Sequence, residues 1–235
     1  AYAQTNMALA SVIIANANGK ALSADDQQKV AVLLQQAVRE AKAAITLEPK
    51  NPAYWINLGG IYRGMVGIVD GSADWAIQAY QQATYLDPVN PLSKMELGGL
   101  LYGTGQFEAA DRVFEDAVKV KTNLANAWYN WAHTKKVMAG KDTSRLSQAI
   151  NLLNQAMVLV DPASADFEKA SKELDSWKEE LSALTKKAEP TPAVQVGGEE
   201  KLTTPMPIPT VSEEKQVPVE NSTELQPPVT PKPTE

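Results

Sequence analysis

The sequence predicts an all-α solenoid: helical hairpins stacked in a row, then one further helix and a tail with no core of its own. Three observations carry this. Ala44, Ala83, Ala117 and Ala156 mark the same point in four successive units, at spacings of 39, 34 and 39 residues. A fixed period of this size is the mark of a repeat architecture. A glycine pair recurs in step with it, Leu58-Gly59-Gly60 and Leu97-Gly98-Gly99, although a mid-helix glycine costs roughly 0.5–1 kcal/mol relative to alanine. Of the fifteen prolines, Pro49, Pro52, Pro88, Pro91 and Pro162 sit at junctions and the other ten lie from Pro190 onward, so none interrupts a helix interior.

The solenoid is expected over residues 1–162, in units of about 4–50, 51–90, 91–124 and 125–162. The first helix, around Gln4 to Asn18, carries Met7, Ala10, Ser11 and Ile14 in a loose helical pattern. Its partner is marked by Ala37, Ala41 and Ala44 and closed by Pro49. Units one and two end in an acidic-Pro-x-Asn-Pro junction, in "AVREAKAAITLEPKNP" and "AIQAYQQATYLDPVNP". There Asn51-Pro52 and Asn90-Pro91 read as N-cap followed by first-turn proline.

Unit two is five residues longer than unit three, and the surplus falls in "RGMVGIVDGSADW", where Asp70-Gly71-Ser72 reads as a turn. A longer helical hairpin is preferred here to a protruding recognition loop. Unit three keeps Leu97, Gly98, Leu101, Ala110, Phe114 and Ala117, with Lys94 where unit two has Trp55. Unit four supplies Trp128, Trp131, Ala132, Ala149, Leu153 and Ala156.

Beyond Pro162, Phe167, Ala170, Leu174, Trp177, Leu181 and Leu184 recur at steps of three and four. This one-sided stripe predicts a helix over 163–187 that caps the last hairpin. A coiled-coil seam is the competing reading, but the pattern lasts less than three heptads. Residues 188–235 hold ten prolines and no Phe, Trp or Tyr, which predicts a disordered acidic tail rich in Pro, Thr, Val and Glu. Its "PMPIPT" and "PPVTPKP" favour polyproline II, as a spacer or as docking motifs.

Unit two, with Trp55, Leu58, Gly59, Tyr62, Ala76, Tyr80, Ala83 and Pro88, closely resembles the tetratricopeptide repeat, and units three and four follow in register. The resemblance implies that the first glycine of each pair lies where the two helices of a unit press together, and that Gly60 and Gly99 face the concave side. Either these glycines leave room for a ligand or they loosen the packing. It further implies a concave binding groove lined by Ile56, Gly60 and Arg63 in unit two, Met95, Gly99 and Tyr102 in unit three, and Tyr129, Asn130, His133 and Lys136 in unit four. Ala8 and Val12 correspond in unit one. The Lys and Asn of family members that clamp a terminal carboxylate are missing, their places taken by Ala8 and Val12 or by Ile56 and Gly60. An apolar centre with Arg63, His133 and Lys136 at one edge suits a peptide with apolar anchors.

Composition narrows the function classes. The tail carries −5 of the net charge of −6, from eight glutamates against three lysines. No basic cluster faces phosphate, so nucleic acid is not an expected partner. With no cysteine and one histidine, no triad, thiolate nucleophile or zinc site has the residues it needs, and neither metal nor cofactor is expected. "GGLLYGTG" lacks the Lys and Ser/Thr of a phosphate loop. The stretch Met7 to Ala17 is too short to span a bilayer, which needs about 20 apolar residues. The expectation is a non-catalytic scaffold for a protein or peptide partner. The phrasing of units one to three is also similar to repeat regions that follow membrane segments in some bacterial proteins. On that alternative the chain is an arm, spacer or oligomerisation module tethered upstream, with a role in polysaccharide assembly. No compartment is implied.

Overall fold

The computed structural model describes residues 2–18 and 20–188; of the tail expected over 188–235 only Ala188 is described, as the end of the last helix, and the rest lies outside the described residues. Nine α-helices, with no strand among the described residues, form four hairpins and a final helix. These are α1 (Tyr2–Asn16) with α2 (Ala24–Leu47), α3 (Pro52–Gly64) with α4 (Ser72–Leu86), α5 (Pro91–Gly103) with α6 (Phe107–Val120), α7 (Ala125–Ala139) with α8 (Thr143–Val158), and α9 (Ala165–Ala188). Each helix packs mainly on its neighbours in sequence, and α1–α3 and α5–α7 also touch. This is the solenoid of stacked helical hairpins that the periodicity predicts.

The junction motif works as one hydrogen-bonded unit. The Asn51 side-chain oxygen accepts from the Ala53 N–H at 3.1 Å, while its amide donates to Glu48 Oε2 at 3.0 Å. Asn90 repeats both bonds, to Leu92 N–H at 3.0 Å and Asp87 Oδ2 at 3.2 Å. One asparagine thus caps the incoming helix and ties it to the acidic residue closing the previous one, while the following proline removes a donor that the helix start would leave unpaired. Trp55 and Trp128 secure the same corners by donating from Nε1 to the carbonyls of Pro49 at 2.9 Å and Thr122 at 2.7 Å.

Within a hairpin, the first glycine does not oppose backbone. A Cβ on Gly59 would lie 2.7 Å from the Tyr80 ring, and one on Gly98 would lie 2.6 Å from the Phe114 ring. Both rings are buried. What presses on the glycine is therefore an aromatic side chain from the second helix. In unit four the corresponding positions hold Ala132 and Leu153, a larger residue facing a smaller one, and both are fully buried.

The surplus residues are absorbed in two ways. Unit two places most of them in the connection: residues 65–71 link α3 to α4, with Gly67 and Gly71 at positive φ, Met65 buried, and Val66 and Ile68 exposed. The preference for a longer hairpin is corrected there, because the Gly59–Tyr80 contact holds the facing turns in register and pushes the extra chain into the loop. Unit four does lengthen its helices, to 15 and 16 residues against 13 and 14 in unit three.

Helix α9 buries Ala170, Leu174 and Trp177 in one cluster with Ala132, Leu146 and Leu153, and Leu181 and Leu184 pack on its edge. The apolar stripe read from the sequence is thus the face that covers the last hairpin.

The glycine geometry yields opposite outcomes for adjacent positions. Gly98→Ala forces a methyl against a ring that cannot retreat and is expected to cost about 1–3 kcal/mol. Gly99→Ala, whose Cβ meets nothing within 4 Å, is expected to stabilise by about 0.5–1 kcal/mol through helix propensity. Urea unfolding of the two variants measures both; equal effects would contradict the contact.

Candidate binding site on the first helices

Successive side chains on a helix turn by about 100°, so Ile56, Gly60 and Arg63 share one face of α3 while Leu58 and Tyr62 point away from it. That face opens into a cavity of about 350 Å³. Gln4 and Met7 reach it from α1, Asn57 from α3, Tyr80 from α4 and Glu96 from α5. Bare backbone at Gly60 forms part of its lining: a Cβ there would meet only the Tyr80 hydroxyl, at 3.7 Å.

A ladder of polar contacts joins the first helices. Gln4 donates to Asn57 Oδ1 at 3.2 Å, between α1 and α3, and Arg63 pairs with Glu96 between α3 and α5. The Tyr80 hydroxyl also approaches Glu96, at 3.5 Å. Burial, then the Glu96 charge, push the Tyr80 phenol up to about 12, with Arg63 opposing. Tyr80 is therefore a neutral donor throughout the ordinary pH range.

Between α5 and α7 the ladder has a gap. Repeat spacing puts Asn57, Glu96 and Asn130 at equivalent positions, and likewise Arg63, Tyr102 and Lys136. The step from Arg63 to Glu96 is bonded. At the next step Tyr102 lies against Phe107 at 5.4 Å, and the Asn130 carboxamide has no hydrogen-bond partner among the described residues. Gly99 beside them faces open space. Met95 is half-buried between two apolar clusters.

The unit-four residues meet α9 instead. Tyr129 donates to the Glu173 carboxylate at 2.9 and 3.0 Å, and His133 Nε2 lies 3.1 Å from the same group. Lys136 pairs with Glu180 at 2.9 Å, and the His133 ring meets Trp177 edge-on at 5.2 Å. Burial raises the Tyr129 pKa, Lys169 opposing and Glu173 adding to it. Ile56, Gly60 and Arg63 are thus gathered in the cavity, Gly99 and Asn130 lie in the gap, and Tyr129, His133 and Lys136 lie under α9.

Sequence reasoning left out Gln4, Asn57, Tyr80 and Glu96. Glu96 was within reach, because it stands one period from Asn57 and faces the edge to which Arg63 was assigned. Gln4 was not, because the first helix departs from the repeat pattern.

No group of His, Asp and Glu suited to a metal ion occurs among the described residues, and no helix among them is long and apolar enough to cross a membrane. No family model and no curated protein matches the chain. Solved structures similar to it include MamA, at 16% identity and a TM-score of 0.49 over 72% of this chain and 98% of that one. Another is the first TPR of Spaghetti (RPAP3) bound to an HSP90 peptide, at 18% and 0.47 over 56% and 94%. A third is a thermophilic TPR protein of Thermus thermophilus, at 13% and 0.48 over 75% and 99%. These neighbours are helical-repeat proteins, and none bears on what this chain binds.

Two outcomes check the site. Above pH 10 the unfolded chain loses the Tyr80 proton while the folded chain keeps it, so the stability that depends on the neutral phenol is whole below pH 10 and lost between 10 and about 12. Tyrosinate absorbance should show one phenol titrating near 12 in native protein. Glu173→Ala removes the acceptor of two side chains at once and should cost about 1–3 kcal/mol, with amide exchange accelerating in α9 first.

Proposed function

We propose that the chain is a non-catalytic protein-interaction scaffold that holds a peptide segment of its partner on the concave face, from the cavity at Gly60 to the gap at Gly99 and Asn130. The observation that carries this reading is the bare backbone at Gly60 in a cavity of about 350 Å³, with Ile56 and Met7 as apolar wall and Arg63, Glu96, Asn57 and Gln4 as polar edge. An apolar anchor residue fits such a recess, and the polar groups fix its flanking main chain.

Helix α9 supports the same reading from the other end. Its Glu173, Trp177 and Glu180 meet Tyr129, His133 and Lys136 of α7, while its apolar stripe packs mainly on α8. On α7 this face therefore accepts acidic groups beside an aromatic ring, and α9 leaves the half near α3 and α5 to a partner.

The test is selection of displayed peptides on the full chain, followed by titration of the enriched peptide against wild type and Gly60→Arg. The arginine projects from an exposed position, so helical circular dichroism is expected to stay unchanged. Affinity is expected to fall at least about tenfold, the loss of roughly 1.4 kcal/mol of contact. Absence of enrichment, or equal binding by both proteins, would contradict the proposal.

A further inference from the structure

A larger cavity lies on the other side of α3. It is a trough of about 1130 Å³ between α2 and α4, floored by the α3 face that carries Leu58 and Tyr62, opposite Gly60. Two tryptophans line it, Trp55 and Trp75, and Trp75 is 43% exposed, tilted on the Tyr62 ring at 5.4 Å. Met65 and Val69, from the connection that makes unit two longer than unit three, complete its lining. The insertion thus contributes to a surface that the concave site does not use.

The rim fixes the chemistry of an occupant. Gln35, Arg39 and Lys42 edge the trough along α2, and Gln78 and Gln82 along α4. No carboxylate lines it. Arg39 has only an exposed contact to Glu40, at 3.6 Å, and neither the Lys42 ammonium nor the Trp75 indole N–H has a partner among the described residues. The three glutamine amides are likewise unpaired. A helical ligand satisfies its own backbone and could meet these groups only through its side chains. Polyproline II presents solvated carbonyls, has no internal hydrogen bonds, and seats its rings between aromatic side chains. From Gln35 to Lys42 the rim runs about 10 Å along the helix, which matches three or four residues of polyproline II at about 3.1 Å each.

We infer that the trough between α2 and α4 is a second docking site, for an extended proline-rich segment of a partner that carries carboxylates. Its rings pack on Trp55 and Trp75, its carbonyls accept from the glutamines and the Trp75 indole, and its carboxylates meet Arg39 and Lys42. The scaffold then has two faces: one peptide on the concave side and a differently recognised one on the opposite side of the same helix.

A charge swap tests this in the full chain. The probes are two fluorescein-labelled twelve-residue peptides that alternate proline with valine, one ending in two glutamates and the other in two lysines. Anisotropy titrations are run with wild type, Arg39→Glu/Lys42→Glu, Trp75→Ala and Gly60→Arg. Wild type is expected to prefer the acidic peptide about tenfold, a preference that weakens with added salt, and the double reversal should invert it. Trp75→Ala should weaken both peptides, while Gly60→Arg should bind as wild type does. The inference is overturned if neither peptide saturates at millimolar concentration, if charge preference is unmoved by the reversal, or if binding is lost with Gly60→Arg alone. The reversed residues are exposed, so the double variant reads recognition even if Trp75→Ala proves unstable.

Discussion

An aromatic ring from the second helix of a hairpin lies against a glycine of the first, and the middle of the solenoid is built on that contact. Gly59 under Tyr80 and Gly98 under Phe114 set how closely paired helices approach. The contact survives a change in the chain between its partners, 20 residues in one unit and 15 in the next, because most of the difference is absorbed in a loop. It also orients the neighbouring position. With the first glycine turned inward, the second is exposed and leaves the helix bare there.

Polar contacts between first helices then shape that exposed face. Where a ladder step is bonded, as at Arg63 and Glu96, adjoining units are held by a partly exposed ion pair of small energetic weight. Between units three and four the firmer tie lies elsewhere: Asp111 on α6 accepts from Trp131 Nε1 at 2.7 Å and from Lys135 at 2.9 Å. Both partners of that ion pair are largely shielded. Joining units through the second helix of one and the first of the next leaves Gly99 and Asn130 free of structural duty. Burial of Tyr80 beside Glu96 adds a neutral hydroxyl to the cavity wall.

Much of this was legible in the sequence for a physical reason: each hairpin repeats the same local problem, so the same small, aromatic and capping residues recur at fixed offsets. The asparagine caps, the glycine pairs and the α9 stripe all follow from that. The placement of the unit-two surplus did not follow, since "RGMVGIVDGSADW" is compatible with both a loop and a longer helix, and only the register of Tyr80 on Gly59 decides. Nor did the meeting of Tyr129, His133 and Lys136 with α9, because Glu173 and Glu180 stand outside the repeat. The trough between α2 and α4 depends on the separation of two second helices, a distance no residue pattern encodes.

The account's central claim is that the concave face around Gly60 is where a partner segment sits. Amide chemical-shift mapping of the full chain, titrated with a peptide selected for binding, tests it most directly. The account predicts perturbations concentrated at Asn57, Gly60, Arg63 and Glu96 and extending to Gly99 and Asn130. Shifts confined to α8 and α9, with those six amides unmoved at saturation, would contradict it.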